Sequence, residues 1–337
     1  MAENVMEQIV SELRQSAPRL YPAHSELRNV RVVGHTPKTD HYIYDIVIDF
    51  ADGSERAYAK VYRAKGTAGP KGIAATENAN LKKIHDLVEK GKLVGVPRPL
   101  GDFSAVGAVV AEKLAGIPMQ SIIMKAALLP GYADHGMLDH TASNAGEWLK
   151  AFHKATSETP ANFDNDKLVA DLERLCASCK GEGLEEASVR TIMDGAKVIL
   201  ARNKKPLPSS AVLNDFTPLN ITLGDTGVGF CDFAKMTGSG NSLQDVALFL
   251  ASVEALEKYP FCNRMITAEV QERFVAAYGA SEAEQQLLRV LKMKALLSMF
   301  AQGRTVKESA VRKKVMWANV MKRFIQQAAD RSMTPAA

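Results

Sequence analysis

Cysteine is scarce in this sequence, and the few cysteines form no pattern that predicts a metal site. Four cysteines occur among 337 residues, and Cys176 and Cys179 form a C-x-x-C motif. No second cysteine pair or histidine follows at the spacing that completes a zinc set. The motif falls within the helical apolar pattern of Leu168, Leu172 and Leu175, so we interpret both cysteines as helix-packing residues. The low cysteine content is typical of a reducing compartment.

The sequence also lacks a strong net charge and long apolar runs. Its formal charge of +4 is too small to predict binding to nucleic acid. No segment approaches the ~20 uncharged apolar residues that a membrane span needs. Residues 1–14 have the pattern of an amphipathic helix with Glu3 and Glu7, without the basic region and apolar core of a signal peptide. We therefore expect a cytoplasmic protein without a transmembrane segment.

The chain shows no internal repeat or low-complexity tract, and its length predicts two packed units. Residues 1–114 have a leading helix followed by strand-like segments and one further helix, whereas 115–337 are mostly helical. This pattern predicts the α+β class, with the two domains divided at those bounds. Helical periodicity in the second domain covers residues 164–181, 185–204, 242–258, 267–278, 281–302 and 305–331.

One segment, residues 212–234, carries two aspartates and an asparagine beside short apolar runs. Asn220 follows Asp215 by five residues, and Asp232 follows twelve residues later. Runs typical of short strands separated by turns lie at 211–213, 221–223 and 228–231. Phosphoryl transfer needs a carboxylate beside the attacking hydroxyl, with an amide and a second carboxylate as hard oxygen ligands for Mg²⁺. The segment therefore predicts a kinase-type site.

These residues resemble the catalytic and metal-binding loops of the aminoglycoside phosphotransferase and choline kinase family, a branch of the protein-kinase-like fold. Residues 215–220, DFTPLN, match the family's D-x-x-P-x-N loop, and residues 232–234, DFA, stand where the family has an Asp-Phe-Gly or Asp-Trp-Gly turn. Asp245 matches the family's structural aspartate at a helix start. The resemblance covers most of residues 28–260. It implies a bilobal fold, with a small antiparallel-sheet N-lobe containing one helix and a larger, mostly helical C-lobe.

The resemblance also implies a reaction, in which ATP and Mg²⁺ serve transfer of the γ-phosphoryl group to a hydroxyl of a small molecule. Asp215 would orient or deprotonate that hydroxyl, while Asn220 and Asp232 would hold Mg²⁺. Lys60, fixed by Glu77, would grip the α- and β-phosphates.

Lys60 and Glu77 have sequence surroundings that suit such a pairing. Lys60 lies in an alternating segment, Tyr58-Ala59-Lys60-Val61-Tyr62, that predicts a strand. Glu77 shares one helical stripe with the apolar residues Leu81, Ile84 and Val88. An acid on a buried stripe needs a partner, so we expect an ion pair between the two. The alternative is that Glu77 lies at the rim of the stripe and is solvated.

Two further segments resemble parts of the family fold. Residues 109–118 predict a strand that ends in a Gly/Pro-broken connection, similar to the hinge between lobes. Backbone groups of Lys113 and Leu114 would there hydrogen-bond the adenine edge. His153 falls in the long helix before the catalytic loop, and we interpret it as a core or interface histidine because no nucleophile or metal ligand lies beside it in sequence.

Departures from the family pattern favour a second hypothesis, a catalytically inactive, nucleotide-binding pseudokinase. Leu213 replaces the usual histidine, Ala234 replaces glycine, and Tyr58 stands where its ring would either stack on a base or exclude it. The turn at residues 34–40 has a single glycine where a glycine-rich phosphate loop is expected. Against this hypothesis stands the intact set of Lys60, Glu77, Asp215, Asn220 and Asp232. A third class, acyl or nucleotidyl transferase, ranks last because its motifs are absent.

The acceptor and the last helix are left open by the sequence. A sugar, an amino alcohol and an antibiotic all remain compatible, because the family builds its acceptor pocket from side chains that follow no spacing rule. The helix predicted at residues 305–331 is rich in Lys and Arg. It is interpreted either as a solvated face or as a basic wall for an anionic substrate or membrane surface.

Overall fold

The computed structural model of the chain describes residues 2–63, 69–129, 131, 134–180, 183–203, 206–225, 227–302 and 311–334. The chain packs as two compact units. Unit 1 consists of Met1–Gly116 and Gly224–Met236, and unit 2 consists of Ile117–Leu223 and Thr237–Ala337. The segment Gly224–Met236, which the sequence analysis grouped with the second domain, thus packs with unit 1.

The elements of the described chain are as follows. The helices are α1 (Ala2–Leu20), α2 (Gly69–Glu89), α3 (Met119–Leu128), α4 (His135–Ala155), α5 (Asn165–Lys180), α6 (Glu186–Arg202), α7 (Leu243–Glu254), α8 (Arg264–Tyr278), α9 (Glu282–Gln302) and α10 (Val311–Met333). The strands are β1 (Leu27–Pro37), β2 (His41–Phe50), β3 (Ser54–Tyr62), β4 (Ala108–Glu112), β5 (Ile117–Pro118), β6 (Glu158–Ala161), β7 (Leu207–Val212), β8 (Ile221–Gly224), β9 (Gly227–Phe230) and β10 (Thr237–Asn241).

Unit 1 is built on an antiparallel sheet of order β1-β2-β3-β4. The β2–β3 register is unbroken, whereas the β1–β2 ladder contains two bulges. Alternate side chains of a strand point to opposite faces, so β3 divides its residues between two environments. Ala57, Ala59 and Val61 belong to the core that also contains Ile9 and Leu13 of α1. The other face of β3 carries Tyr58, Lys60 and Tyr62.

Helix α1 forms because its apolar residues recur at helical spacing. Met6, Ile9, Leu13 and Ala17 are all buried, and they pack with the apolar residues of β2. The predicted leading helix therefore covers one face of the sheet with its apolar side.

Unit 2 has an aromatic core beneath short strands. The rings of Phe249 on α7 and Phe274 on α8 stack with centroids 3.8 Å apart. Helices α4 and α8 pack closely because Gly146 has no side chain; a Cβ atom there would lie 2.5 Å from the carbonyl oxygen of Phe274. Strand β7 pairs with β10 and β6, and β5 pairs with β8.

The helices predicted from periodicity agree with observed helices apart from their ends, whereas helix α3 was not predicted. Helix α8 begins at Arg264, three residues before the prediction, because the Asn263 side chain accepts a hydrogen bond from the Met265 N–H and caps the helix. A 3-10 turn, Ala255–Lys258, replaces the predicted last turn after α7. Residues 303–310, which include the start of the helix predicted at 305–331, lie outside the described residues. The predicted α+β class is confirmed. Within the described residues, no helix is long and apolar enough to cross a membrane.

Candidate functional site

A buried ion pair in unit 1 joins the lysine and the glutamate that the sequence analysis paired. Lys60 on β3 is 4% exposed and Glu77 on α2 is 1% exposed. The Lys60 Nζ lies 2.6 Å from Glu77 Oε1 and 3.3 Å from Asp232 Oδ1. Leu81 and Ile84 are buried on the same face of α2. Glu77 therefore lies within the stripe and not at its solvated rim.

The two carboxylates stabilise the Lys60 charge, and Lys60 in turn stabilises the Asp232 charge. Burial alone would lower the pKa of Lys60, but the carboxylates of Glu77 and Asp232 outweigh it and hold that pKa above its ordinary value. Burial would raise the pKa of Asp232, yet the Lys60 ammonium and the Ala234 N–H hold it below its ordinary value. Lys60 is thus cationic and Asp232 anionic at neutral pH.

The turn that carries Asp232 is held from two sides. The Ala234 N–H donates to Asp232 Oδ1 at 3.3 Å, so alanine makes the local bond in place of glycine. Asn80 on α2, one turn beyond Glu77, donates from Nδ2 to the carbonyl oxygens of Phe233 and Met236 at 2.9 and 3.2 Å. Helix α2 therefore positions both Lys60 and the Asp232 turn. Sequence reasoning missed Asn80, although a polar residue three positions after Glu77 was the available signal.

Tyr62 also contacts the pair, and sequence reasoning gave it no role. Its hydroxyl donates to Glu77 Oε2, the carboxylate oxygen that Lys60 does not contact. The signal was its position: residues two apart on a strand share a face, so Tyr62 had to lie beside Lys60.

Tyr58 lies on the Lys60 face of β3, and the residue is 8% exposed. Its hydroxyl donates to the Cys231 carbonyl oxygen at 3.4 Å. The ring packs inward against Cys231, the residue before Asp232, and stacking on a base or exclusion of a base stays a prediction. Burial raises the pKa of the Cys231 thiol to about 11, so this cysteine is not a reactive thiolate at neutral pH.

The predicted hinge residues follow β4. The Lys113 N–H donates to the Arg56 carbonyl oxygen at 2.9 Å, so this donor already extends the β3–β4 ladder. Contact of the Lys113 and Leu114 backbone with adenine stays a prediction. The Leu114 side chain packs over β9, where a Cβ atom on Gly229 would lie 2.5 Å from Leu114 Cδ1.

The predicted catalytic loop belongs to unit 2 and is anchored by Phe216. This ring is fully buried and stacks on Trp148 of α4, with centroids 5.7 Å apart and planes within 5°. Asp215 and Asn220 flank it and are partly exposed. The Asn220 Nδ2 donates to the Asp215 carbonyl oxygen at 3.0 Å, so the two predicted site residues are linked within the loop.

Asp245 holds the start of this loop. It is fully buried, and its carboxylate accepts the N–H groups of Leu213 and Asn214 at 2.7 and 2.8 Å. Asn214 has a φ of 58°, a left-handed conformation that asparagine tolerates better than most residues. His153 Nε2 lies 3.2 Å from the same carboxylate, and its Nδ1 bonds the Tyr278 hydroxyl at 3.0 Å. His153 is therefore a core histidine, as predicted, and it contacts the aspartate behind the loop.

The residues proposed for Mg²⁺ have the chemistry that this ion prefers. Magnesium is commonly held by one or two carboxylates together with substrate phosphates, and it takes oxygen ligands. Asp232 in unit 1 is an anionic carboxylate, and Asn220 in unit 2 carries a side-chain amide, so each is of a chemical type that Mg²⁺ accepts. Among the described residues, no three His, Cys, Asp or Glu side chains come together as a metal-binding group.

Comparison with known proteins shows the fold. No protein-family model and no curated protein sequence matches the chain. Among solved structures, a glucosamine kinase in complex with glucosamine, ADP and inorganic phosphate has 15% identity and a TM-score of 0.52, covering 92% of this chain and 96% of its own. The GDP complex of a point mutant of aminoglycoside 2'-phosphotransferase-IIIa has 13% identity and a TM-score of 0.57, covering 97% and 100%. Choline kinase LicA from Streptococcus pneumoniae has 14% identity and a TM-score of 0.51, covering 96% and 99%. The likeness confirms the predicted kinase-like fold and the resemblance to aminoglycoside phosphotransferases and choline kinase at the level of fold.

Proposed function

We propose that the protein is a small-molecule kinase that transfers the γ-phosphoryl group of ATP to a hydroxyl of a metabolite or antibiotic. The observation that carries the proposal is the buried Lys60, whose ammonium lies between Glu77 and Asp232. Burying a lysine with two carboxylates carries a desolvation penalty that apolar residues would avoid. We therefore infer that the position of this lysine serves a function. Gripping nucleotide phosphates beside a metal-binding aspartate is such a function.

Each residue of the predicted set has a role in this proposal. Lys60 binds the α- and β-phosphates while Glu77 keeps it in place. Asn220 and Asp232 hold Mg²⁺, which when bound neutralises charge on the transferred group. Asp215 orients the acceptor hydroxyl or takes its proton as the new bond to phosphorus forms. Asp245 holds the backbone just before Asp215, which keeps the base in position.

The acceptor is proposed as a class. The structures of similar fold are named for glucosamine, an aminoglycoside and choline, which all carry a hydroxyl and a nitrogen centre. For this protein we propose only the general class of acceptor, a small molecule that carries a hydroxyl. Sugars, amino alcohols and aminoglycosides form the first test panel. The cytoplasm, where ATP is abundant, is the proposed compartment.

A second candidate function, a nucleotide-binding pseudokinase, is favoured by one specific observation. The Tyr58 ring is packed inward and hydrogen-bonded to the Cys231 carbonyl oxygen, on the face of β3 that carries Lys60. A purine that uses this face requires the ring to rotate or to accept stacking. The two candidates share the phosphate-binding residues and differ in turnover.

An ATP-consumption screen across the acceptor panel, paired with calorimetry of Mg·ATP binding, tests the proposal. The control is Asp215→Asn, which removes the base and leaves Lys60 and Asp232 untouched. Acceptor-dependent turnover that disappears in the control supports the kinase. Binding of Mg·ATP without turnover on any acceptor supports the pseudokinase. Absence of both binding and turnover would contradict both candidate functions, because each requires nucleotide binding.

A further inference from the structure

The Glu77 carboxylate has two hydrogen-bond partners in the described chain, and they come from the same face of one strand. Lys60 Nζ lies 2.6 Å from Oε1, and the Tyr62 hydroxyl donates to Oε2. Both side chains come from β3, where residues two apart share a face. The carboxylate is therefore held at each oxygen by a different donor.

Burial makes the second donor necessary. Glu77 is 1% exposed and Tyr62 is 7% exposed, so water does not replace a lost contact. A buried carboxylate oxygen without a donor carries the full cost of its desolvation. Burial also raises the pKa of Tyr62 well above its ordinary value, so the phenol stays protonated and remains a donor across the range in which enzymes are assayed.

The ammonium group of Lys60 has three N–H donors and lies near two carboxylates. One is directed to Glu77 Oε1, and Asp232 Oδ1 lies at 3.3 Å from the same nitrogen. If Oε2 lost its tyrosine, the carboxylate could rotate and offer both oxygens to the ammonium, the only other cation or donor in contact with it among the described residues. Lys60 would then be drawn toward α2 and away from Asp232.

We propose that Tyr62 is a positioning residue for nucleotide binding: by occupying Glu77 Oε2 it limits Glu77 to a single contact with Lys60 and leaves the ammonium available to phosphate. The proposal rests on the proposed function, since it concerns the same phosphate-binding lysine. The Tyr62 ring is itself held in place, because His41, its partner in the β2–β3 register, packs against it with centroids 5.6 Å apart. Burial, together with the Lys60 charge, lowers the pKa of His41, so the neighbour that fixes the ring is neutral.

The test is the variant Tyr62→Phe, which keeps the ring and removes the hydroxyl. We expect the KM and the calorimetric Kd for Mg·ATP to rise roughly tenfold or more, the size of one hydrogen bond to a charged group, with a smaller change in kcat. The acceptor KM should stay unchanged. The matched control is Tyr42→Phe on the neighbouring strand, whose ring stacks under Arg63 on the opposite face of the sheet. It should bind Mg·ATP like the parent.

A double variant separates positioning from a merely structural role. If Tyr62 acts through Glu77, then Tyr62→Phe should weaken Mg·ATP binding in the parent and have little further effect in a Glu77→Gln background. Equal losses in both backgrounds, or an unchanged Kd in Tyr62→Phe, would overturn the proposal while leaving the kinase assignment intact. A parent protein that binds no Mg·ATP would overturn the proposed function and this role together.

Discussion

Replacing Lys60 by methionine or Glu77 by glutamine should destabilise unit 1 and abolish phosphotransfer, because each change leaves the other charge buried. Breaking a buried ion pair by removing one partner costs about 3–5 kcal/mol. Lys60 would retain Asp232 at 3.3 Å, and Glu77 would retain Tyr62. We therefore expect about 3 kcal/mol for each single variant, the lower end of that range.

The double variant Lys60→Met/Glu77→Gln carries neither charge, so its loss should be close to that of one single variant. The resulting interaction energy of about 3 kcal/mol corresponds to roughly a hundredfold change in an equilibrium constant. The same non-additivity should appear in kcat/KM for any accepted substrate. When two residues act as one unit, removing the second causes little further loss of activity.

The stability assay must report on unit 1 alone. Both tryptophans of the sequence, Trp148 and Trp317, belong to unit 2, so tryptophan fluorescence follows the wrong unit. Hydrogen exchange of the β3 amides measures the free energy of opening where Lys60 lies. The control is Lys82→Met on the same helix as Glu77. Lys82 pairs with Asp102 at 3.6 Å, both side chains are at least half exposed, and its loss should cost less than about 1 kcal/mol. Additive losses in the double variant, or equal costs for Lys60 and Lys82, would refute the reasoning.

Three further predictions follow from the same contacts. Asp215→Asn should fold and bind Mg·ATP normally yet turn over several orders of magnitude more slowly, since it removes the proposed base alone; single-turnover kinetics within tenfold of the parent would contradict this. Asp232→Ala should abolish the Mg²⁺ dependence of ATP binding, and identical Mg·ATP affinity in calorimetry would exclude Asp232 as the ligand. Because the pKa of Asp232 is held below its ordinary value near 3.8, its stabilisation is complete above that pH and is lost as the pH falls through the lower folded value. The hydrogen-exchange protection of the β3 amides should therefore fall less steeply with decreasing pH in Asp232→Asn than in the parent. The same fall in both proteins would show that the folded pKa of Asp232 is unshifted.

Several elements of the site were predictable because local spacing determines them. The strand alternation around Lys60 and the helical stripe of Glu77 depend on periods of two and 3.6 residues, which hold wherever these elements form. The spacing of Asp215 and Asn220 within one loop is likewise local, and the structure links them through a side-chain hydrogen bond. For the same reason most helices of unit 2 were predicted to within a few residues, and the Asn263 cap explains the three-residue difference at the start of α8.

Contacts between distant positions were decided only by the tertiary structure. Tyr58 and Cys231 are 173 residues apart, and Asn80 and Phe233 are 153 apart, so no periodicity relates them. The pairing depends on the return of Gly224–Met236 to unit 1, where the Phe230 N–H donates to the Gly95 carbonyl oxygen. Sequence alone determined which residues carry charge and on which face of their own element they lie. Packing decided which of those faces meet, because a buried carboxylate takes whichever donor the neighbouring element brings within hydrogen-bond distance.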